Sequence, residues 1–452
     1  MSAPPQAVFL GQNPAFEEHW KKTGLPYVPA GTRQLPITCA LCVWLEDRTP
    51  TSEEARALLN TGGWMLAPEK MRPQLGFLSK NVEFFSDHCL LDIPPGPQSQ
   101  VKTFSFGSAE PREEVASAPR SAVRRSLLRL VDGIYARQGL PTLQLPFYPK
   151  GYRSVFSFRV DADEYEEVSF DRFFETAKTH SHAISIFFSM ANYEKHADQI
   201  RRCLDAGFDV HSHAYTHYNY RSYAQNLFNL RKADEALRRI GVPKKGFASP
   251  YGRWNKNLQR AVDEMGYDFS SEFSYNYDDF PSYPVICGKR SSVLQVPVHP
   301  VGLGVYMESA SQYNESEVKT YFGRLFRQKY ERGEPILFYD HPTKWLGYHP
   351  EMLDYLFDLA SERSDLWVCS MSEWAGWWKK RLSTAAPLDP LIWKRPPADN
   401  GEEGKVYRER RVSRRVKDAI KKWLDWETST PCEEIIRDSV PSRIKFILRQ
   451  FR

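Results

Sequence analysis

The chain alternates short, β-prone apolar runs with helical stretches, and two of the runs end in residues that bind cations or protons rather than pack. Ser154-Val155-Phe156-Ser157-Phe158 is the first. Continued as a strand through Arg159-Val160-Asp161-Ala162-Asp163, it puts Arg159, Asp161 and Asp163 on one face, because side chains alternate along a strand. Further on, a helix over roughly 194–205 stops at Gly207, and a strand at Phe208-Asp209-Val210 leads into His211-Ser212-His213-Ala214-Tyr215-Thr216-His217. With a further apolar run at Ala183–Phe188 and a further helix over 225–240, the pattern predicts an α/β fold whose strands deliver polar side chains at their C-terminal ends.

The residue types suit one divalent cation. His213 and His217 are four apart, a spacing that predicts a helical turn with both imidazoles on one side, and neutral imidazole is a favoured zinc ligand. Asp163 supplies a third ligand and leaves a position for water. Of two carboxylates at one strand end, one can hold the ion while the other takes a proton from water. An isolated Asp-x-Asp is more often a turn or a helix cap. The histidine cluster on a second strand end is what argues for a site.

These residues resemble the polysaccharide deacetylase family, the NodB-homology or carbohydrate esterase family 4 group. Its first motif is matched by Phe158–Asp163, its second by Ser212-His213-Ala214-Tyr215-Thr216-His217, and its third by Gly246-Phe247-Ala248-Ser249-Pro250-Tyr251-Gly252. Its late hydrophobic strand ending in a histidine is matched by Pro335-Ile336-Leu337-Phe338-Tyr339-Asp340-His341-Pro342. The order is the family's, over roughly residues 151–383.

The resemblance implies an irregular (β/α) barrel with the active residues at the strand C-termini. It implies Asp161 as general base, Asp163, His213 and His217 as metal ligands, and His341 as general acid. The backbone N–H of Tyr251 then helps to bind the tetrahedral oxyanion. The metal implied is zinc, with cobalt, nickel and manganese as alternatives. The reaction implied is N-deacetylation of an amino sugar: activated water, deprotonated by Asp161, attacks an acyl carbonyl, and His341 protonates the leaving amine.

Two positions depart from the family pattern. Ala248 stands where an arginine usually holds the catalytic aspartate, and Arg159, two residues before Asp161, is the candidate replacement. His211 stands where a small residue is common and reads as a hydrogen-bond partner behind the ligands or as a core histidine. The segments Ser270–Pro281 and Leu294–Pro300 resemble a branch of the family found with bacterial surface-glycan genes. There Asp278 or Asp279 is a candidate to orient a catalytic imidazole, and Glu272 and His299 are candidates to line the cleft. Two other readings stay open: an amidohydrolase acting on a non-sugar amide, for which His211-Ser212-His213 is the signal, and a glycan-binding pseudoenzyme.

Outside this segment, residues 1–148 predict a smaller α/β domain. The signals are a strand over 37–45, a Thr51-Ser52-Glu53-Glu54 capping box opening a helix, a Gly62-Gly63 stop and a strand at Trp64-Met65-Leu66. It resembles the flavodoxin-like domains related to class I glutamine amidotransferases, with no convincing nucleophile. Cys39-Ala40-Leu41-Cys42 lies inside the first of these strands and reads as core packing. Residues 108–120, rich in Ser, Glu, Ala and Pro, read as a flexible loop before a helix over 121–138. Trp345, Trp367, Trp374, Trp377 and Trp378 read as core rather than sugar platforms.

Residues 384–452 read as a linker and a basic helical tail. Residues 405–422 hold nine Lys or Arg against two acidic residues, and Val416, Ile420, Trp423 and Leu424 make one apolar stripe beneath the charges. Such a tail suits an anionic membrane surface or a partner protein. The whole-chain net charge of +5 is modest, and without a recognition motif it does not predict nucleic-acid binding. Seven scattered cysteines do not form a disulfide framework, and the first thirty residues lack the pattern of a secretory signal. The expectation is a cytoplasmic protein at the inner face of the membrane, acting on a nucleotide-linked or lipid-linked N-acetylated saccharide.

Overall fold

The computed structural model describes residues 7–29, 40–59, 63–75, 81–93, 97–118, 120–140, 142–309, 314–383 and 391–392. The expectations placed on Cys39, on the start of the 37–45 strand, on Gly62 and on the basic tail over 405–452 fall outside them.

The first sheet has five parallel strands, β1 (Ala7–Leu10), β2 (Tyr27–Pro29), β3 (Leu41–Trp44), β4 (Trp64–Pro68) and β5 (Val82–Phe85), in the order β2-β1-β3-β4-β5. This is the strand order of flavodoxin-like sheets. The predicted capping box is present: Thr51 N–H donates to Glu54 Oε2 at 2.8 Å and Glu54 N–H to Thr51 Oγ1 at 3.2 Å, opening the helix Ser52–Leu59. Cys42 is buried in the core.

The segment read as a flexible loop before the helix is ordered differently. Residues Ser99–Thr103 (β6) and Arg112–Ala116 (β7) form an antiparallel hairpin, and the helix that follows already begins at Arg120 and runs to Arg137. The polar composition misled because the apolar residues of β7 are confined to its end: Val115 and Ala116 are buried while Arg112 is exposed. After the helix, β8 (Leu143–Gln144) leads into the second sheet.

That sheet starts with β9 (Ser154–Ala162), followed by β10 (Ile184–Phe188), β11 (Asp209–Ser212), β12 (Gly246–Ala248) and β13 (Phe269–Ser271). A small hairpin of β14 (Val285–Ile286) and β15 (Lys289–Arg290) precedes β16 (Leu294–Gln295), and β17 (Ile336–Asp340) and β18 (Leu366–Val368) complete it. The order is β16-β13-β12-β11-β10-β9-β17, with β18 paired to the first residues of β9, and every pairing within this sheet is parallel. It curls into a half-barrel with helices outside. Its two edges approach where His299 N–H, beyond β16, donates to the Leu337 carbonyl on β17 at 2.8 Å.

Along β9 the two faces divide cleanly. Phe156, Phe158, Val160 and Ala162 pack with the outer helices, whereas Val155 belongs to the interior cluster that includes Phe187, Phe273, Leu337 and Tyr339. Arg159 and Asp161 share Val155's side by the period of two. Trp374 and Trp378, on the helix Met371–Ser383, join that interior cluster fully buried, as the core reading requires.

The N-terminal region grips the barrel through buried charges. Lys22 Nζ lies 2.8 Å from Asp279 Oδ2, Arg124 Nε donates to Asp279 Oδ1 at 2.8 Å, and Arg124 Nη2 donates to Glu334 at 2.5 Å. Arg120 meets Asp92 and the Tyr275 carbonyl, and Tyr275 Oη donates to Asp92 at 2.9 Å. Burial works against the charged form of Asp279, but Lys22 and Arg124 outweigh it and hold the carboxyl at about 2.

Candidate active site

The strand ends converge on one spot. β9 ends at Ala162, one residue before Asp163, and β11 ends at Ser212, one residue before His213. His341 follows β17 directly. His213 Nε2 lies 3.0 Å from Asp163 Oδ1, His217 Nε2 3.2 Å from Asp163 Oδ2, and His341 Nε2 3.5 Å from Asp163 Oδ2. Asn192 Nδ2 donates to the Asp163 carbonyl at 2.5 Å and fixes the backbone there.

His213 and His217 do not sit on a helical turn. The chain bends between them, with Ala214 in the left-handed region at φ 63°, and that bend still brings the two rings to 5.0 Å between centroids. The spacing was informative, but the conformation inferred from it was not.

Asp163, His213 and His217 offer ligand atoms that all lie within 4.8 Å of one another. Whether a cation suits them is decided by the protons. His213 Nδ1–H donates to the Ala248 carbonyl at 2.8 Å, so a neutral His213 turns an unprotonated Nε2 towards Asp163. Two acceptors then face each other, and Asp163 Oδ1 is buried without a hydrogen-bond partner. A cation among these three side chains removes that conflict, so the donor set fits a divalent metal. Ala248, which stands where an arginine is expected from the resemblance, contributes its carbonyl to the orientation of His213.

Electrostatics at the site are polarised. Burial opposes the charged form of Asp163, but the charges of His217 and His341 lead the effects that offset it and hold the carboxyl well below the ordinary aspartate range. Burial likewise opposes protonation of His341, yet Asp163, Asp340 and Asp161 together lift it to about 10. Asp340 was not foreseen as a site residue. Its Oδ1 lies 3.4 Å from His341 Nδ1, and its carboxylate accepts Gly304 N–H at 3.1 Å to each oxygen.

Arg159 meets Asp161 in a two-pronged pair, Nε to Oδ1 at 2.6 Å and Nη2 to Oδ2 at 2.5 Å, with both residues buried. Tyr251 lies in the turn Pro250–Gly252 at φ 57°, its half-exposed ring 4.5 Å from His217. Gly252 permits that turn: its φ is +58°, and a Cβ there would come within 2.2 Å of the Phe273 ring.

His211 is turned elsewhere. Its Nδ1 accepts Gly246 N–H at 3.3 Å, which leaves Nε2–H to donate towards Asp209 at 2.7 Å, the partner pattern of a buried structural histidine. Of the candidates in the 270–300 region, Glu272, Asp279 and His299 are buried and Asp278 is partly buried. Asp278 does orient an imidazole, but that of His299, at 2.8 Å, and it also pairs with Lys329. Asp279 serves the N-terminal grip. Glu272 is enclosed with Ser270, and burial raises its carboxyl to about 8. The partners of Asp278 and Asp279 are far away in sequence.

Residues 160–270 match the family model for polysaccharide deacetylase. No curated protein matches the chain. Among solved structures, one from Mycobacterium smegmatis described as a polysaccharide deacetylase is 18% identical, with a TM-score of 0.45, over 56% of this chain and 98% of its own. Puue allantoinase is 18% identical, with a TM-score of 0.45, over 52% of this chain and 93% of its own. A CE4 family pseudoenzyme from Bacillus anthracis is 15% identical, with a TM-score of 0.36, over 50% of this chain and 66% of its own. The family match shows that residues 160–270 are similar to polysaccharide deacetylase, a stretch that holds Asp161, Asp163, His213, His217 and Tyr251.

Proposed function

We propose that the protein is a metal-dependent N-deacetylase that removes an acetyl or other acyl group from an amino sugar of a bacterial glycan intermediate. The observation that carries this reading is the buried, unpartnered Asp163 Oδ1 facing His213, inside a segment of deacetylase sequence and beside a clamped Asp161. A divalent ion held by Asp163, His213 and His217, with zinc preferred over cobalt, nickel or manganese, supplies Lewis acidity towards water and the acyl oxygen.

The chain's own groups do the rest. Asp161 accepts the proton of the attacking water, and Arg159 fixes the direction of its carboxylate. His341, with Asp340 behind it, donates to the leaving nitrogen. The N–H of Tyr251, on a rigid turn, donates to the oxygen that becomes negative as the carbonyl turns tetrahedral. In this reading residues 149–383 form the catalytic domain and 1–148 support it.

The basic, amphipathic sequence over 405–452 supports presentation of the saccharide as a nucleotide-linked or lipid-linked species at the inner membrane face. Among the described residues no helix is long and apolar enough to cross a membrane.

The test is acetate release from a panel of N-acetylated saccharides and nucleotide sugars, with and without chelator, comparing wild type with Asp161→Asn. Release that is lost with chelator and in the variant supports the proposal. Metal-loaded protein that releases nothing from any substrate counts against it and favours the pseudoenzyme reading.

A further inference from the structure

Arg159 crosses the interior of the half-barrel. One side of its guanidinium holds Asp161, and the other reaches Ser271: Nη1 donates to the Ser271 carbonyl at 3.1 Å and to Ser271 Oγ at 3.0 Å. Ser271 is the last residue of β13, four strands along the sheet from β9. Its hydroxyl proton is committed elsewhere, since Oγ donates to the Val296 carbonyl at 2.7 Å. The oxygen lone pairs are thereby left to the guanidinium. Both residues are fully buried, so water does not compete for these bonds.

A guanidinium is planar, and fixing Nη1 fixes the plane in which Nε and Nη2 meet the carboxylate. We propose that Ser271 is a positioning residue of the active centre: it sets the orientation of Arg159 and, through it, the direction in which Asp161 presents its oxygens. This rests on the reading of Asp161 as the base and Arg159 as its support. It assigns to β13 the anchoring of a support that the third motif, with Ala248, does not provide.

A double-mutant cycle on deacetylation tests the proposal, with Ser271→Ala, Arg159→Lys and the pair, each checked for bound metal. Ser271→Ala is expected to lower kcat about tenfold, the worth of a hydrogen bond to a charged group, with KM within about twofold and metal content unchanged. In the Arg159→Lys background the same substitution is expected to cost nothing further, because no planar fork remains to be aimed. Losses that multiply, or a KM that rises while kcat holds, overturn the proposal. Ser271→Cys keeps the volume and accepts hydrogen bonds weakly, which covers failure of the alanine variant to fold; wild-type kcat in the cysteine variant also overturns the proposal. If Arg159→Lys alone leaves kcat unchanged, the failure lies in the reading of Arg159 as the base's support, and the positioning role falls with it.

Discussion

Arg159 and Asp161, two residues apart on β9, face the same way and bind each other through both carboxylate oxygens, at 2.6 and 2.5 Å. A strand's period of two makes this pair possible without any third element. Removing one partner leaves the other charged and buried. Arg159→Ala is therefore expected to destabilise the fold by about 3–5 kcal/mol, read from urea unfolding, as well as to abolish turnover. A loss under about 1 kcal/mol would show that Asp161 finds water or another cation when Arg159 goes.

Metal content gives an independent readout of the ligand set. His217→Ala and Asp163→Ala are each expected to cut the zinc retained after dialysis by at least about tenfold relative to wild type. Chelation of the wild type is expected to lower Tm, since an ion that binds only the folded state stabilises it. His211→Asn, outside the ligand set, should keep its metal, and loss of metal there would reassign that histidine.

Glu272 makes the stability depend on pH. Its folded-state value of about 8 lies above the ordinary glutamate range, so the folded state holds a proton that the unfolded chain has released. The stabilisation is complete below the unfolded value and is lost as pH rises through about 8. Glu272→Gln, which stays neutral, is expected to melt higher than wild type at pH 9, with the difference shrinking towards pH 4. Equal differences at both pH values would mean that Glu272 is ionised in the fold.

Asp279 titrates in the opposite sense. With its carboxyl held at about 2, its contribution is present above the unfolded aspartate value and is lost as pH falls towards 2. Asp279→Asn leaves Lys22 and Arg124 without their shared countercharge, and is expected to cost about 3–5 kcal/mol in chemical unfolding at pH 7. Retention of wild-type stability would show that Glu334 alone satisfies Arg124.

The sequence revealed what is local. Asp161 with Arg159 follows from strand alternation, and two polar clusters at strand ends pointed to Asp163, His213 and His217 together, although β10 lies between their strands. The capping box at Thr51 is a four-residue signal, and it was read directly. Contacts set by the sheet's order were not legible. Ser271 meets Arg159 only because β13 lies across the half-barrel from β9, and Asp340 sits behind His341 through the backbone of Gly304. Distant partners were equally hidden: nothing nearby in sequence shows that Asp278 meets His299 and Lys329, that Asp279 meets Lys22 and Arg124, or that Glu272 is buried. The strand Arg112–Ala116 was missed because its two apolar residues, Val115 and Ala116, only close a polar stretch.

The grip of the N-terminal region on Asp279 bears on how this protein can be taken apart. Both cations that neutralise Asp279 come from residues before position 125, whereas the carboxylate itself belongs to the loop after β13. A fragment trimmed to the recognisable deacetylase segment would strand that carboxylate, together with Glu334, in an interior built for balanced charge. The two halves are therefore better regarded as one inheritable unit than as an enzyme with an appendage. Swapping either half for that of a distant relative would require carrying Lys22, Arg124, Asp279 and Glu334 across as a set.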